Sequence, residues 1–173
     1  MSKISRLKNQ TIAKALTAFP MLAEKAIEAA GPTVNFDDSP WTPVTKPLKE
    51  MRVAIVTTSG AHHTDQNPFD MSDETGDPSV RMIDASRPAD SIMITHDYYD
   101  HKDADKDINI VFPIDRLREF ADEGRIGEVA PTHYGLMGHL MGKHIDTLLN
   151  ETSPGIVKRL KEEAVDAVLL TPG

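Results

Sequence analysis

The chain has 173 residues, 39% hydrophobic and 27% charged, with a formal net charge of −8 and no cysteine. That length suits one sizeable core, and a scattered acidic balance without a basic stripe gives no grip on phosphate backbones or anionic membrane surfaces. Disulfides and thiolate metal sites are excluded within these residues, and no apolar run nears the roughly 20 residues that cross a bilayer. Met1–Lys14 is polar and basic and lacks the apolar core of a signal peptide, so a cytoplasmic setting is expected, with neither nucleic acid nor membrane as partner.

In chain order, Ile12, Leu16, Phe19, Ala23 and Ala26 recur at helical spacing on one face of residues 5–30. Pro20 falls inside that pattern and predicts two short helices or one bent one, closed by Gly31-Pro32. Residues 33–49, with Pro40, Pro43 and Pro47, read as an extended arm anchored by Trp41. Residues 1–50 thus form a helical and proline-rich lead, and residues 51–173 an α/β body.

The body opens with Arg52-Val53-Ala54-Ile55-Val56-Thr57-Thr58, a near-continuous apolar run that fits a strand buried on both faces. A long polar loop over 61–79 follows, then candidate strands at 80–83 and 91–95. Pro113, the spacing of Ile114, Leu117 and Ala121, and Gly124 mark a helix over 113–121. Met141, Ile145 and Leu148 suggest a further short helix. Ser153-Pro154 reads as an N-cap and first-turn proline opening a helix with Ile156, Leu160 and Ala164 inward. Ala167–Thr171 is read as a last buried strand. The alternation predicts a three-layer α/β sandwich with a mainly parallel sheet, a helical N-terminal segment, and a C-terminus left incomplete. In such sheets the ligand crevice lies beyond the carboxyl ends of the strands.

That rim holds the chemically interesting residues. His96, Asp100 and His101 sit in Thr95–Asp105, the densest polar cluster, and can bind a metal or move protons. Their spacing is similar to the His-x-His-x-Asp-His motif of metallo-β-lactamase-like hydrolases, but Tyr98 stands at the second histidine position. The plainer reading is that such residues cap turns after a strand. Gly60, His62 and His63 follow the first strand, and Pro172 and Gly173 follow the last; these five are candidate substrate-binding residues. His133 or His139 could face the crevice, the plainer reading being that of packed loop histidines. GxSxG and GxGxxG motifs are absent, so serine-hydrolase and dinucleotide-binding readings have no support.

Several stretches together resemble the selenoprotein B family of glycine, betaine, sarcosine and D-proline reductases, closest to the D-proline-reductase-type subunit. They are Val53–Gly60, Asp65–Asp70, Thr95–Asp105, Val111–Glu119, Gly124–Gly127, His133–Gly138 and Glu151–Pro154. The likeness runs from about Met51 to Gly173. It implies reductive cleavage of a C–N bond α to a carboxylate. A pyruvoyl group on a partner subunit would hold the amine, a selenol or thiol of this subunit would attack, and a thiol or thioredoxin-type donor would restore it. No cofactor is expected on these residues themselves. His96, Asp100 and His101 become candidates for proton delivery or substrate positioning in an oligomeric complex.

In that family the last strand leads into the redox-active selenocysteine or cysteine, so this residue is expected just after Gly173, and the 173 residues alone are expected to be an inactive truncation. A metal-dependent hydrolase using His62, His63, His96, Asp100 and His101, and a non-catalytic assembly subunit, are the alternative readings. A selenocysteine codon is also a stop codon. Sequencing the gene beyond codon 173 is expected to show TGA followed in frame by about 70 or more codons, set by ordinary domain size. A TAA or TAG would count against truncation.

Overall fold

The structure, a computed structural model, describes residues 3–30 and 41–173. Two helices come first, α1 (Lys3–Ala18) and α2 (Pro20–Ala30). Phe19 separates them, and Pro20 occupies the first position of α2, where its missing N–H costs nothing. The expected inward face is only partly formed: Leu16 and Ala23 are half-buried, but Ile12 and Phe19 are exposed, whereas Ala13 is buried and Arg6 and Gln10 reach the body. The helix docks by hydrogen bonding to one buried carboxylate, so its polar face turns in. Trp41, the expected anchor, is 83% exposed. The expectations for Ala26 and for residues 31–40 lie outside the described residues.

The central strand is β1 (Arg52–Thr57), whose apolar run is buried as expected. It pairs in parallel with β5 (Glu128–Val129), β6 (Thr132–Gly135) and β7 (Ala167–Thr171). Val53 has partners in both β5 and β7, and Val56 in both β6 and β7. Hence β5 and β6 share one edge of β1, and β7 runs along the other. Beside β6 lies β3 (Arg81–Asp84), antiparallel, so the sheet is mixed rather than wholly parallel. Strands β2 (Ala61–His63) and β4 (Ile92–Ile94) form a separate antiparallel pair. The 91–95 segment is therefore a strand, but outside the main sheet.

Between the β5 and β6 registers the outer chain carries two extra residues relative to β1. The ladder bond lost there is replaced by a side chain: the Ile55 N–H donates to His133 Nδ1 at 2.8 Å. A buried backbone donor must find an acceptor, and the imidazole serves as one.

Layers lie on both faces. Helix α3 (Ile114–Asp122) brings Ile114 and Leu117 against Val53, Ile55 and Ile83. Helix α5 (Ser153–Glu162) brings Ile156 against Tyr134 and Leu136, with Val56 and Leu160 beside them. Ser153 is not an N-cap. Helix α4 (Lys143–Thr147) continues through a wide π-type turn at Leu148–Thr152 into α5, and Ser153 already has helical angles. The wide turn accommodates Pro154, which has no N–H for the preceding ladder. Ala164 is exposed past the helix end, with φ +52°.

Strand β7 is not buried. Val168, Leu169 and Leu170 are exposed, Leu170 at 72%, and among the described residues only β1 pairs with β7.

Close packing at Gly135 gives a test. A Cβ there would stand 1.9 Å from the Ala61 carbonyl oxygen, whereas one at Gly155 in α5 meets nothing within 4 Å. Gly135→Ala is expected to lower stability by about 2 kcal/mol or more through forced displacement. Gly155→Ala should raise it by about 0.5–1 kcal/mol through helix propensity. Denaturant melts of the two variants check both signs.

Candidate functional site

The carboxyl ends of β1 and β7 are tied to one acceptor. Thr57 Oγ1 lies 3.0 Å and Thr171 Oγ1 2.7 Å from the Val111 carbonyl oxygen, to which both hydroxyls can donate. Beyond β1, Ser59 is fully buried, and its carbonyl accepts from the Tyr99 hydroxyl at 3.0 Å. Burial raises the Tyr99 phenol above its ordinary pKa, so it remains a donor. Gly60 adopts φ +78°, and a Cβ on it would sit 2.5 Å from the Thr95 carbonyl oxygen and 3.2 Å from His96 Cβ. Only glycine lets this turn lie so close to the start of the histidine segment. Gly173 lies against Ser59, where a Cβ would come within 2.2 Å of Ser59 Cα.

A depression of about 510 Å³ at this rim is lined by Tyr99, Asp100, His101, Val111, Pro172 and Gly173, among others. The structure thus gathers Asp100, His101, Pro172 and Gly173, with His96 and Gly60 directly behind Tyr99. His62 and His63 are elsewhere, buried in β2. His62 uses Nδ1 on the His63 carbonyl at 2.7 Å and Nε2 on Thr95 Oγ1 at 2.8 Å. His63 meets Ser91 Oγ at 3.0 Å and accepts from the Asp84 N–H at 3.0 Å. Burial lowers the pKa of both. Among the described residues no group of three or more His, Asp or Glu side chains is placed to hold a metal ion.

The rim histidines stand in opposite hydrogen-bond settings. His101 places Nε2 3.0 Å from the His96 carbonyl and Nδ1 2.8 Å from Asp105 Oδ1. Both partners are acceptors, so the ring satisfies both when it carries both protons. His96 instead accepts at Nδ1 from the Tyr98 N–H at 3.1 Å. Burial, reinforced by His139 and His101 and opposed by Asp97, lowers its pKa to about 4. The Asp100 carboxylate pairs with Lys102 Nζ at 3.2 Å.

Helix α1 supplies residues that sequence reasoning missed. Arg6 and Gln10 bond to Asp97, whose side chain is only 2% exposed; Arg6 Nη2 lies 3.1 Å and Gln10 Nε2 2.8 Å from Oδ1. Burial pushes Asp97 upward, but these bonds outweigh it and hold the carboxyl below its ordinary range. Gln10 and Lys14 also border a smaller hollow beside His101. The available signal was the four-residue spacing of Arg6, Gln10 and Lys14, a polar stripe opposite the apolar one.

The family of glycine/sarcosine/betaine reductase selenoprotein B matches residues 14–173. The chain belongs to this family. The match reaches further toward the N-terminus than the likeness from Met51 onward. Among family relatives, D-proline reductase subunit gamma of Acetoanaerobium sticklandii is 46% identical over 133 residues, covering 77% of this chain and 53% of that protein. The sarcosine reductase complex component B subunit beta of Peptoclostridium acidaminophilum is 32% identical over 161 residues, covering 89% and 36%. The glycine reductase complex component B subunit gamma of Carboxydothermus hydrogenoformans is 29% identical over 143 residues, covering 81% and 32%. The chain therefore spans about half the length of the first relative and about a third of the other two. No solved structure matches it.

His96 and His133 both have folded pKa values lowered to about 4, burial being the first cause in each. Each contributes stability that is complete above the unfolded value near 6.5 and is lost as pH falls toward 4, because the unfolded chain binds the extra protons. Denaturant melts between pH 7 and pH 4.5 should show stability falling by up to about 1.4 kcal/mol per pH unit for each histidine. A flat profile over that range would show the rings to be solvated.

Proposed function

We propose that this chain is part of the redox subunit of an amino-acid reductase, acting on glycine, betaine, sarcosine or D-proline. The observation that carries this reading is the 46% identity to D-proline reductase subunit gamma across 77% of the chain. The reaction is reductive cleavage of the C–N bond α to the carboxylate. Two electrons from a selenol–thiol or dithiol pair and two protons balance it. Carbon and nitrogen each gain a hydrogen, and the pair is left oxidised.

In this reading the chain supplies the rim. A selenocysteine or cysteine borne on the segment after β7 emerges beside Tyr99, Asp100 and His101, since Pro172 and Gly173 line the same depression. A helix N-terminus at that place would favour the selenolate or thiolate. His101, held between two acceptors, is the proton-delivering residue, and Asp100 holds Lys102 at the rim. Gly60 sets the close turn against His96. Pro172 and Gly173 border the substrate, and His62, bonded to Thr95 Oγ1 next to His96, supports the wall behind it with His63 beside it in β2. A pyruvoyl group on a partner subunit activates the amine, and a thiol or thioredoxin-type donor re-reduces the oxidised pair. The assembly is oligomeric and cytoplasmic. Among the described residues no helix is long and apolar enough to cross a membrane.

The test is to produce the full reading frame with the pyruvoyl-bearing subunit and follow dithiol consumption. Addition of one of the four amino acids is expected to start turnover, and His101→Ala to reduce it about 100-fold, as loss of a general acid does. No consumption with any of the four would overturn the reading.

A further inference from the structure

Ring nitrogens in a packed interior are ordinarily both engaged, as those of His62 and His63 are. His96 and His133 depart from this, each accepting at Nδ1 from a backbone N–H with Nε2 unpartnered; of the two, His96 packs against Tyr99, a residue of the rim depression. It is 4% exposed, Nδ1 accepts from the Tyr98 N–H, and Nε2 has no partner. An acceptor at Nδ1 places the single proton of the uncharged ring on Nε2. The fold therefore holds a buried N–H donor in a fixed direction with its bond unmade, an arrangement that is costly unless an acceptor arrives.

The ring is held in place. Tyr98 meets it edge-on with centroids 5.8 Å apart, and Tyr99 does so at 4.9 Å. Tyr98 is itself stacked on His139 at 3.6 Å. The nearest carboxylate in sequence, Asp97, is already occupied by Arg6 and Gln10 and does not compete. Tyr99 lines the rim depression and also packs against His96, so the imidazole lies one ring behind that depression.

We infer that His96 is a positioning residue whose Nε2–H donates to the carboxylate of the amino-acid substrate, the group common to all four candidates. This deepens the reductase reading above and rests on it. Hydrogen bonds from N–H to a carboxylate belong to the strong, directional class. The ionisable groups facing the ring are His139, His101, Asp97, Tyr98 and Tyr99. The two histidines among them, together with burial, keep the ring uncharged, so it remains a donor without acting as an acid.

Two substitutions separate this role from a structural one. In His96→Asn the amide oxygen can still accept from the Tyr98 N–H, but the donor at the Nε2 position is gone. In His96→Gln the amide N–H falls near the Nε2 position and the Nδ1 acceptor is lost. In the assembled reductase, His96→Asn is expected to keep its melting temperature and raise KM for the amino acid about ten- to hundredfold. His96→Gln should keep KM within a few-fold. The reverse order, or two variants with unchanged KM, overturns the inference.

A second measurement does not depend on turnover. Nitrogen-15 spectra of the subunit made from the full reading frame should show His96 bare at Nδ1 and protonated at Nε2 from pH 5 to 8, and sodium formate should shift the Nε2–H saturably. Protonation at Nδ1, or no response to formate, overturns the inference. If the assembled complex reduces none of the four amino acids, the reductase reading fails by itself, and the formate titration decides the role of His96.

Discussion

Strand β1 bonds along both of its edges, and nearly every other element takes its place from that strand. β7 follows it without interruption over five paired residues, whereas the other edge is shared by β5 and β6 with a two-residue slip between them. Without an acceptor in that gap the Ile55 N–H would be buried and unpaired. His133 supplies the acceptor from the opposing chain. The imidazole thus takes the part of a missing carbonyl and lets β6 re-enter the sheet in phase with Val56 and Thr57. That phasing sets Gly135 against Ala61 and brings Leu136 and Met137 beside Ser59 and Gly60, where the rim begins.

Much of this arrangement was legible in the sequence because it rests on local chemistry. The apolar run at 52–58, the signals around Pro113 and Gly124, and the break at Pro20 each follow from a backbone preference acting over a few residues. What was not legible depends on distant partners. Composition makes Ala167–Leu170 look like a core strand, yet its exposure depends on what stands beyond β7. Ser153-Pro154 has the chemistry of a helix start, but the preceding residues continue the helix through a wide turn. The apolar stripe of α1 suggested burial, and a single carboxylate at Asp97 reversed the helix's orientation.

The histidines show the same division. Their clustering at strand ends was visible. Their protonation settings were not, because they depend on whether each ring nitrogen meets a donor or an acceptor. His62 and His63 are taken up by hydroxyls and by backbone donors and acceptors, and His133 accepts at Nδ1 with Nε2 unpartnered in the sheet core. His101 faces two acceptors, and His96 faces one donor and one unpaired direction. Sequence spacing carries no information on that point.

The pairing of β1 with β7 also governs the order in which the protein can be assembled. The hydrogen bond from the Arg52 N–H to Asp166, which leads into that pairing, joins residues 114 positions apart. Closing so long a loop costs chain entropy before any contact repays it, and topologies of this kind fold slowly. During synthesis at about 5–20 residues per second, β1 waits several seconds for its second neighbour, with one ladder of N–H and C=O groups open. In that interval the open edge of β1 is a place where another strand can pair until β7 arrives.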